Sequence, residues 1–188
     1  MKKLNKAFIL IFTLLISVSS FAQLQKEKAS LSIGGDIAFP FKAKTFYPGF
    51  GGTIKGAIAL TRKTSFTLTT GYMSFKGKTI SDTPLLRDFT VLRESFIPLR
   101  AGFQYKPISN LYIEAQAGYA RENYGSFHSS NGSNTSPPSV NTFNYAINIG
   151  YLINKNLEVS ARYEDYLLKG QSQLPSIGLR VAYRLKLW

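Results

Sequence analysis

The sequence predicts an all-β fold, an eight-stranded antiparallel up-and-down transmembrane β-barrel that follows a cleaved signal peptide. Three observations lead to this prediction: segments of alternating apolar and polar residues, connections that alternate between tight and long, and an apolar leader at the N-terminus. A period of two is the pattern of a strand with one apolar face. Segments of about 10 tilted residues are also long enough to cross a bilayer.

The first 22 residues have the pattern of an export signal. Basic residues precede an apolar stretch over 7–18, and Ser20 and Ala22 put small residues at both positions that a signal peptidase reads. The apolar stretch is too short for a membrane-anchoring helix. We therefore expect a signal peptide over 1–22 and a barrel domain over 23–188 that begins at Gln23.

Eight strands can be placed on the alternating segments. In the clearest of them, from Leu111 to Tyr119, the odd-numbered residues are apolar, while Glu114 and Gln116 lie on the other face. The predicted strands are 29–39, 50–61, 65–75, 92–105, 111–122, 142–153, 156–167 and 174–187.

The predicted connections differ in length between the two ends of the barrel. Tight turns fall at 62–64, 106–110 and 154–156, whereas the connections at 40–49, 76–91 and 123–141 are longer, and only 168–173 on that side is short. Barrels of the bacterial outer membrane have short periplasmic turns and longer extracellular loops. The sequence thus predicts the cell outer membrane, with both termini on the short-turn side.

The two faces of the strands carry different residues. The apolar face has tyrosines towards its ends, which suits aromatic girdles at the membrane interfaces. The opposite face carries five acidic and five basic residues: Asp36, Lys55, Glu94, Arg100, Glu114, Glu158, Arg162, Glu164, Arg180 and Arg184. Eight strands leave an interior just wide enough for side chains, where charges must be paired. We expect a salt-bridged plug, with Arg100 beside Glu114 across the turn at 106–110.

Several kinds of chemistry are not expected. The chain has no cysteine, which excludes disulfides and thiolate metal sites. Its single histidine, His128, falls in a loop rich in Ser and Asn without a rigid orienting partner. We therefore predict no enzymatic activity, no metal and no cofactor. The net charge of +13 does not indicate nucleic acid, because export separates the chain from it. A monomer is expected.

Two arginines lie on the apolar face at the loop-side rim. Arg93 and Arg121 fall there on neighbouring predicted strands. Guanidinium groups bind phosphates through paired hydrogen bonds, so these residues are candidates for contact with the phosphates of the outer-leaflet glycolipid, lipopolysaccharide. The alternative is a solvated cationic rim without specific contacts.

The segments 96–105 (FIPLRAGFQY) and 110–119 (NLYIEAQAGY), together with the export signal and the terminal aromatic Trp188, resemble a known family. They are similar to the outer membrane protein β-barrel domain of Gram-negative bacteria. The resemblance implies insertion by the outer-membrane assembly machinery, which reads an aromatic-ended last strand. Trp188 departs from the pattern, because it lies on the parity opposite to Leu185 and Leu187.

Three functions are compatible with these features. The first is a structural or interaction role, with a plugged interior and extracellular loops as the contact surface. The second is a narrow, porin-like transport barrel for a small solute. The third is an exported soluble barrel that binds a ligand, in which the apolar face would point inward.

Overall fold

A computed structural model describes residues 29–42, 46–80, 89–90, 93–124, 127–128, 134–135, 139–167 and 174–187. The predicted signal peptide and Trp188 lie outside the described residues. No helix in these ranges is long and apolar enough to cross a membrane.

Eight long strands form a closed antiparallel barrel. Each strand pairs with its neighbours in the chain, and the last strand pairs with the first to close the barrel. The strands are β1 (Ala29–Pro40), β2 (Gly49–Ala59), β3 (Thr64–Lys76), β4 (Arg93–Tyr105), β5 (Leu111–Tyr124), β6 (Val140–Leu152), β7 (Leu157–Leu167) and β8 (Ser176–Lys186). The predicted eight-stranded up-and-down barrel is thereby confirmed.

Two short strand pairs lie within the long connections on the loop side. Thr79–Ile80 pairs with Phe89–Thr90 between β3 and β4, and Phe127–His128 pairs with Asn134–Thr135 between β5 and β6. The alternation did not predict these pairs, because two residues are too few to show a period.

Side chains that bind the backbone hold two of the three tight turns. Thr61 Oγ1 accepts hydrogen bonds from the backbone N–H groups of Lys63 and Thr64, at 3.2 and 3.0 Å. Asn154 Oδ1 accepts from the backbone N–H groups of residues 156 and 157, at 2.8 Å each. Such local acceptors replace the strand ladder where the chain reverses. They explain why β2 ends at Ala59, two residues before the predicted end.

The outer wall of the barrel is apolar. On β8, for example, Ile177, Leu179, Val181 and Tyr183 are each 54–56% exposed, and the residues between them are mostly buried. A soluble protein buries such a stripe, whereas a lipid-facing wall presents it. This orientation rules out the soluble alternative, in which the apolar face would line the interior.

Candidate functional site

Charged side chains fill the middle of the lumen. Eight residues there are each at most 8% exposed: Asp36, Lys55, Arg100, Glu114, Glu158, Arg162, Glu164 and Arg180. Four are basic and four are acidic, so their formal charges cancel. Because they project inward from six different strands, the arrangement fills the cross-section of the barrel. We call these eight residues the lumen network.

The turn-side half of the lumen network centres on one carboxylate. Glu158 Oε1 accepts from Lys55 Nζ at 2.9 Å, from Arg180 Nη1 at 2.8 Å and from the Tyr112 hydroxyl at 2.7 Å. Lys55 Nζ also lies 3.4 Å from Glu114 Oε2 and 4.6 Å from the centroid of the Tyr112 ring. Two cations and a hydroxyl therefore compensate the burial of Glu158.

The loop-side half centres on another carboxylate. Glu164 Oε2 lies 2.8 Å from Arg100 Nη1 and 3.7 Å from Arg162 Nη1. Arg162 Nη1 also lies 3.2 Å from Asp36 Oδ1. Thr53 joins the two halves. Its hydroxyl donates to Asp36 Oδ2 at 2.8 Å, and it accepts a hydrogen bond at 2.7 Å from Nε of Arg180, which belongs to the turn-side half. The lumen network is thus continuous.

The predicted pair of Arg100 and Glu114 is wrong. The register of β4 and β5 puts Arg100 opposite Gly118, and it puts Gln104 opposite Glu114. Arg100 is therefore four residues away from Glu114 along the strand. Arg100 instead binds Glu164, and Glu114 binds Lys55, each across the lumen.

Two of the predicted interior residues lie outside the lumen network. Glu94 is buried at the loop-side end of β4, and Arg184 is half-buried at the turn-side end of β8. Neither forms an ion pair with a described residue. Glu122, which was not among the predicted interior residues, is 1% exposed and faces inward near Glu94. Alternation predicts the face on which a residue lies but not its height in the barrel.

An aromatic layer closes the lumen at the loop side. The ring of Phe96 stacks on that of Tyr166 with centroids 4.2 Å apart, and Phe75 meets Phe96 edge-on at 6.0 Å. Each of the three is 0% exposed. Their buried neighbours are Ala38, Met73, Ala120 and Leu174. This layer was not predicted from the sequence, although Phe75 and Phe96 lie on the inward, mostly polar parity of their strands.

The two rim arginines have different surroundings. Arg93 is exposed on β4, directly opposite Lys76 on β3. Arg121 is exposed on β5, opposite Ile97, and its Nε and Nη2 donate to Ser139 Oγ at 3.1 and 2.8 Å. The structure thus brings Arg93 to Lys76 rather than to Arg121.

The described residues include no cluster of three or more side chains that could hold a metal ion. His128 lies in the short strand pair on the loop side.

Comparisons with known proteins agree with this architecture. The family described as outer membrane protein β-barrel domain matches residues 8–184. No curated protein matches the sequence significantly.

Three solved barrels are similar in structure at low sequence identity. Ail of Yersinia pestis, solved in complex with the heparin analogue sucrose octasulfate, is 16% identical with a TM-score of 0.61, covering 86% of this chain and 100% of that chain. The N-terminal barrel of Pseudomonas aeruginosa OprF is 17% identical with a TM-score of 0.61, covering 85% and 100%. Neisserial surface protein A is 17% identical with a TM-score of 0.54, covering 85% and 97%.

Proposed function

The chain belongs to the outer membrane protein β-barrel domain family, and from this premise we propose that it has a structural or interaction role with its extracellular side as the contact surface. Membership makes it a non-enzymatic protein of the outer membrane, as the sequence predicted. The observation that carries the proposal is the filled lumen, which favours a role at the surface of the barrel over the passage of a solute through it.

The filled lumen argues against solute transport. A solute would have to displace both the aromatic layer around Phe96 and the ion pairs of the lumen network. Opening a buried ion pair leaves uncompensated charge, which costs about 3–5 kcal/mol. Planar-bilayer recordings of the purified barrel should therefore show no stable conducting step. Discrete steps would favour the narrow, porin-like transport barrel instead.

We further propose that the loop-side rim contacts phosphates of the outer-leaflet glycolipid, lipopolysaccharide. Lys76 and Arg93 are exposed, outward-facing and directly opposite one another on paired strands. Like charges in this position repel, and an anion between them would relieve the repulsion. Arg121 adds a guanidinium whose position is fixed by Ser139.

A protein of the same fold supports an anionic sugar as a partner of such barrels. The structure of Ail from Yersinia pestis contains the heparin analogue sucrose octasulfate. Sulfated and phosphorylated sugars share the chemistry that Lys and Arg recognise. The glycolipid is the anionic sugar that surrounds the rim in the outer leaflet.

Lipid A co-purification tests the rim. We expect Lys76→Gln with Arg93→Gln to reduce the bound lipid A severalfold relative to wild type, and Arg121→Gln to reduce it less. The matched control is Arg62→Gln, which removes an exposed cation from the turn between β2 and β3 at the opposite end. Equal amounts of bound lipid A in wild type and the three variants would contradict the proposal and favour a solvated cationic rim without specific contacts.

Insertion by the outer-membrane assembly machinery and a monomeric state remain predictions from the sequence. Depletion of the machinery in cells should prevent folding of the barrel. Light scattering of the detergent-purified protein should give the mass of one chain.

A further inference from the structure

The turn-side mouth of the lumen forms a cavity of about 320 Å³. Four of its lining residues are basic, and none of the described ones is acidic. The polar lining includes Lys106, Ser109, Asn110, Lys155, Arg184 and Lys186.

Tyr112 on β5 lies one inward-facing position deeper in the barrel than Asn110, which lines the cavity. Its ring lies against Gly150, the next inward-facing residue before Leu152 on β6. Leu152 and Asn110 both line the cavity, and Leu152 N donates to Asn110 O at 2.7 Å. Tyr112 is 1% exposed and stands between Asn110, which lines the cavity, and Glu114 of the lumen network.

The lumen network does not compensate Arg184 and Lys155. It has four cations and four carboxylates, so it supplies no excess negative charge. Glu158, the carboxylate that Tyr112 binds, is already engaged by Lys55 and Arg180. Arg184 and Lys155 form no ion pair with a described residue. A concave site lined by one sign of charge concentrates counter-ions.

Neutral donors complete the site. Asn154 also lines the cavity, and its Oδ1 accepts two backbone N–H groups, which turns its Nδ2 donor away from the turn backbone. Ser109 and Asn110 add a hydroxyl and a second amide. Cations combined with neutral donors are the groups that hold phosphate oxygens.

We propose that this cavity binds a phosphate group presented from the periplasmic side. The group belongs either to a small phosphorylated solute or to the headgroup of a phospholipid in the inner leaflet. Arg184 and Lys155 carry the binding, with Asn154 as an orienting donor. This inference concerns the end of the barrel opposite to the proposed glycolipid rim. The phosphate site and the glycolipid rim are therefore tested independently of each other.

Calorimetric titration of the purified barrel with inorganic pyrophosphate, in a maltoside detergent at low ionic strength, tests the proposal. We expect saturable binding to wild type, weakened about tenfold or more by Arg184→Gln with Lys155→Gln, because two charged hydrogen-bond donors are lost. The control Arg62→Gln removes a cation from the same end of the barrel but outside the cavity. It should change the affinity less than about twofold.

Three results would overturn the proposal: no saturable binding to wild type, equal affinity of wild type and the double variant, or equal weakening by the control. The last would mean that the end as a whole attracts anions without a site. Heat-modifiable gel migration verifies that each variant is folded. The two substitutions change side chains only, so the backbone hydrogen bond from Arg184 N to Asn156 O stays in place.

A second arm separates the two sources of phosphate. The titration is repeated in nanodiscs that contain phosphatidylglycerol. Loss of pyrophosphate binding to wild type there would identify the phospholipid headgroup as the occupant. Unchanged binding would identify a soluble phosphorylated molecule.

Discussion

Arg100 on β4 binds Glu164 on β7 at 2.8 Å across the lumen, although two strands separate them around the barrel wall. Both side chains are almost fully buried. The pair therefore joins two opposite parts of the wall, a role that a cross-strand pair within one ladder could not fill. Asn144 on the intervening strand β6 accepts a further hydrogen bond from Arg100 Nη1 at 3.1 Å.

Removing one member of this pair should be costly. In Glu164→Gln the charge of Arg100 loses its carboxylate while it stays buried, and Arg162 loses a second contact. We expect the free energy of unfolding to fall by about 3–5 kcal/mol. The measurement is urea unfolding in phospholipid vesicles, followed by the loss of β-sheet circular dichroism.

The double variant provides the control. Combining Glu164→Gln with Arg100→Met removes both charges, so its cost should be lower than the sum of the two single costs by at least about 1 kcal/mol. Additive costs would show that the two side chains do not interact.

The contact of Gly150 with the Tyr112 ring leads to a second prediction. A Cβ at position 150 would overlap atoms Cζ and Oη of the ring, which is fixed by its hydrogen bond to Glu158. Gly150→Ala should lower the free energy of unfolding by about 3 kcal/mol, the upper end of the usual range for overpacking.

Gly35→Ala is the matched control. Gly35 faces outward on β1, and a Cβ there would meet no atom within 4 Å. Its effect on the same unfolding transition should stay within about 0.5 kcal/mol. A similar loss in both variants would mean that strand glycines matter for their backbone conformation rather than for space.

The architecture was predictable because its signals are local. The period of two predicts the strands, and its interruptions at 62–64, 106–110 and 154–156 predict where the chain reverses. Antiparallel pairing of chain neighbours then leaves few topologies for eight strands. The short pair that includes His128 was missed because it has no period.

The contacts inside the lumen were not predictable in the same way. Alternation shows that Arg100 and Glu164 face inward, but their meeting depends on the tilt and stagger of strands that are not neighbours. The position along the barrel axis explains why two predicted residues are not part of the lumen network. Glu94 and Arg184 share the inward face but lie at opposite ends of the barrel, beyond the lumen network. Phe96 faces inward too, and its parity could have revealed the aromatic layer.

Phe96 should be important for stability but not for sealing. Phe96→Ala removes a fully buried ring that stacks on Tyr166 and meets Phe75. The free energy of unfolding should fall by about 3–5 kcal/mol, and Phe96→Leu should cost less because it keeps most of the volume. Planar-bilayer recordings of Phe96→Ala should still show no conducting step, because the lumen network remains below. Conductance in this variant would make the aromatic layer the seal.

Glu94 should be the carboxylate whose neutralisation stabilises the barrel. It is 9% exposed, and its Oε2 has no hydrogen-bond partner among the described residues. Glu122 faces the same interior space from β5, opposite Phe96 and thus two positions from Glu94 in register. Two carboxylates at such a site repel one another, and Glu94→Gln should raise the free energy of unfolding by about 1 kcal/mol at neutral pH.

Glu114→Gln should act in the opposite direction. Glu114 accepts from Gln116 Nε2 at 2.8 Å and pairs with Lys55 at 3.4 Å, so its neutralisation leaves a buried ammonium short of one counter-charge. We expect the free energy of unfolding to fall by about 2 kcal/mol, less than for a fully broken pair because Glu158 still binds Lys55.

The pH dependence provides the control for Glu94→Gln. The stability advantage of this variant over wild type should vanish at a pH low enough to protonate Glu94. A stabilising effect that persists there would have to come from packing rather than from charge.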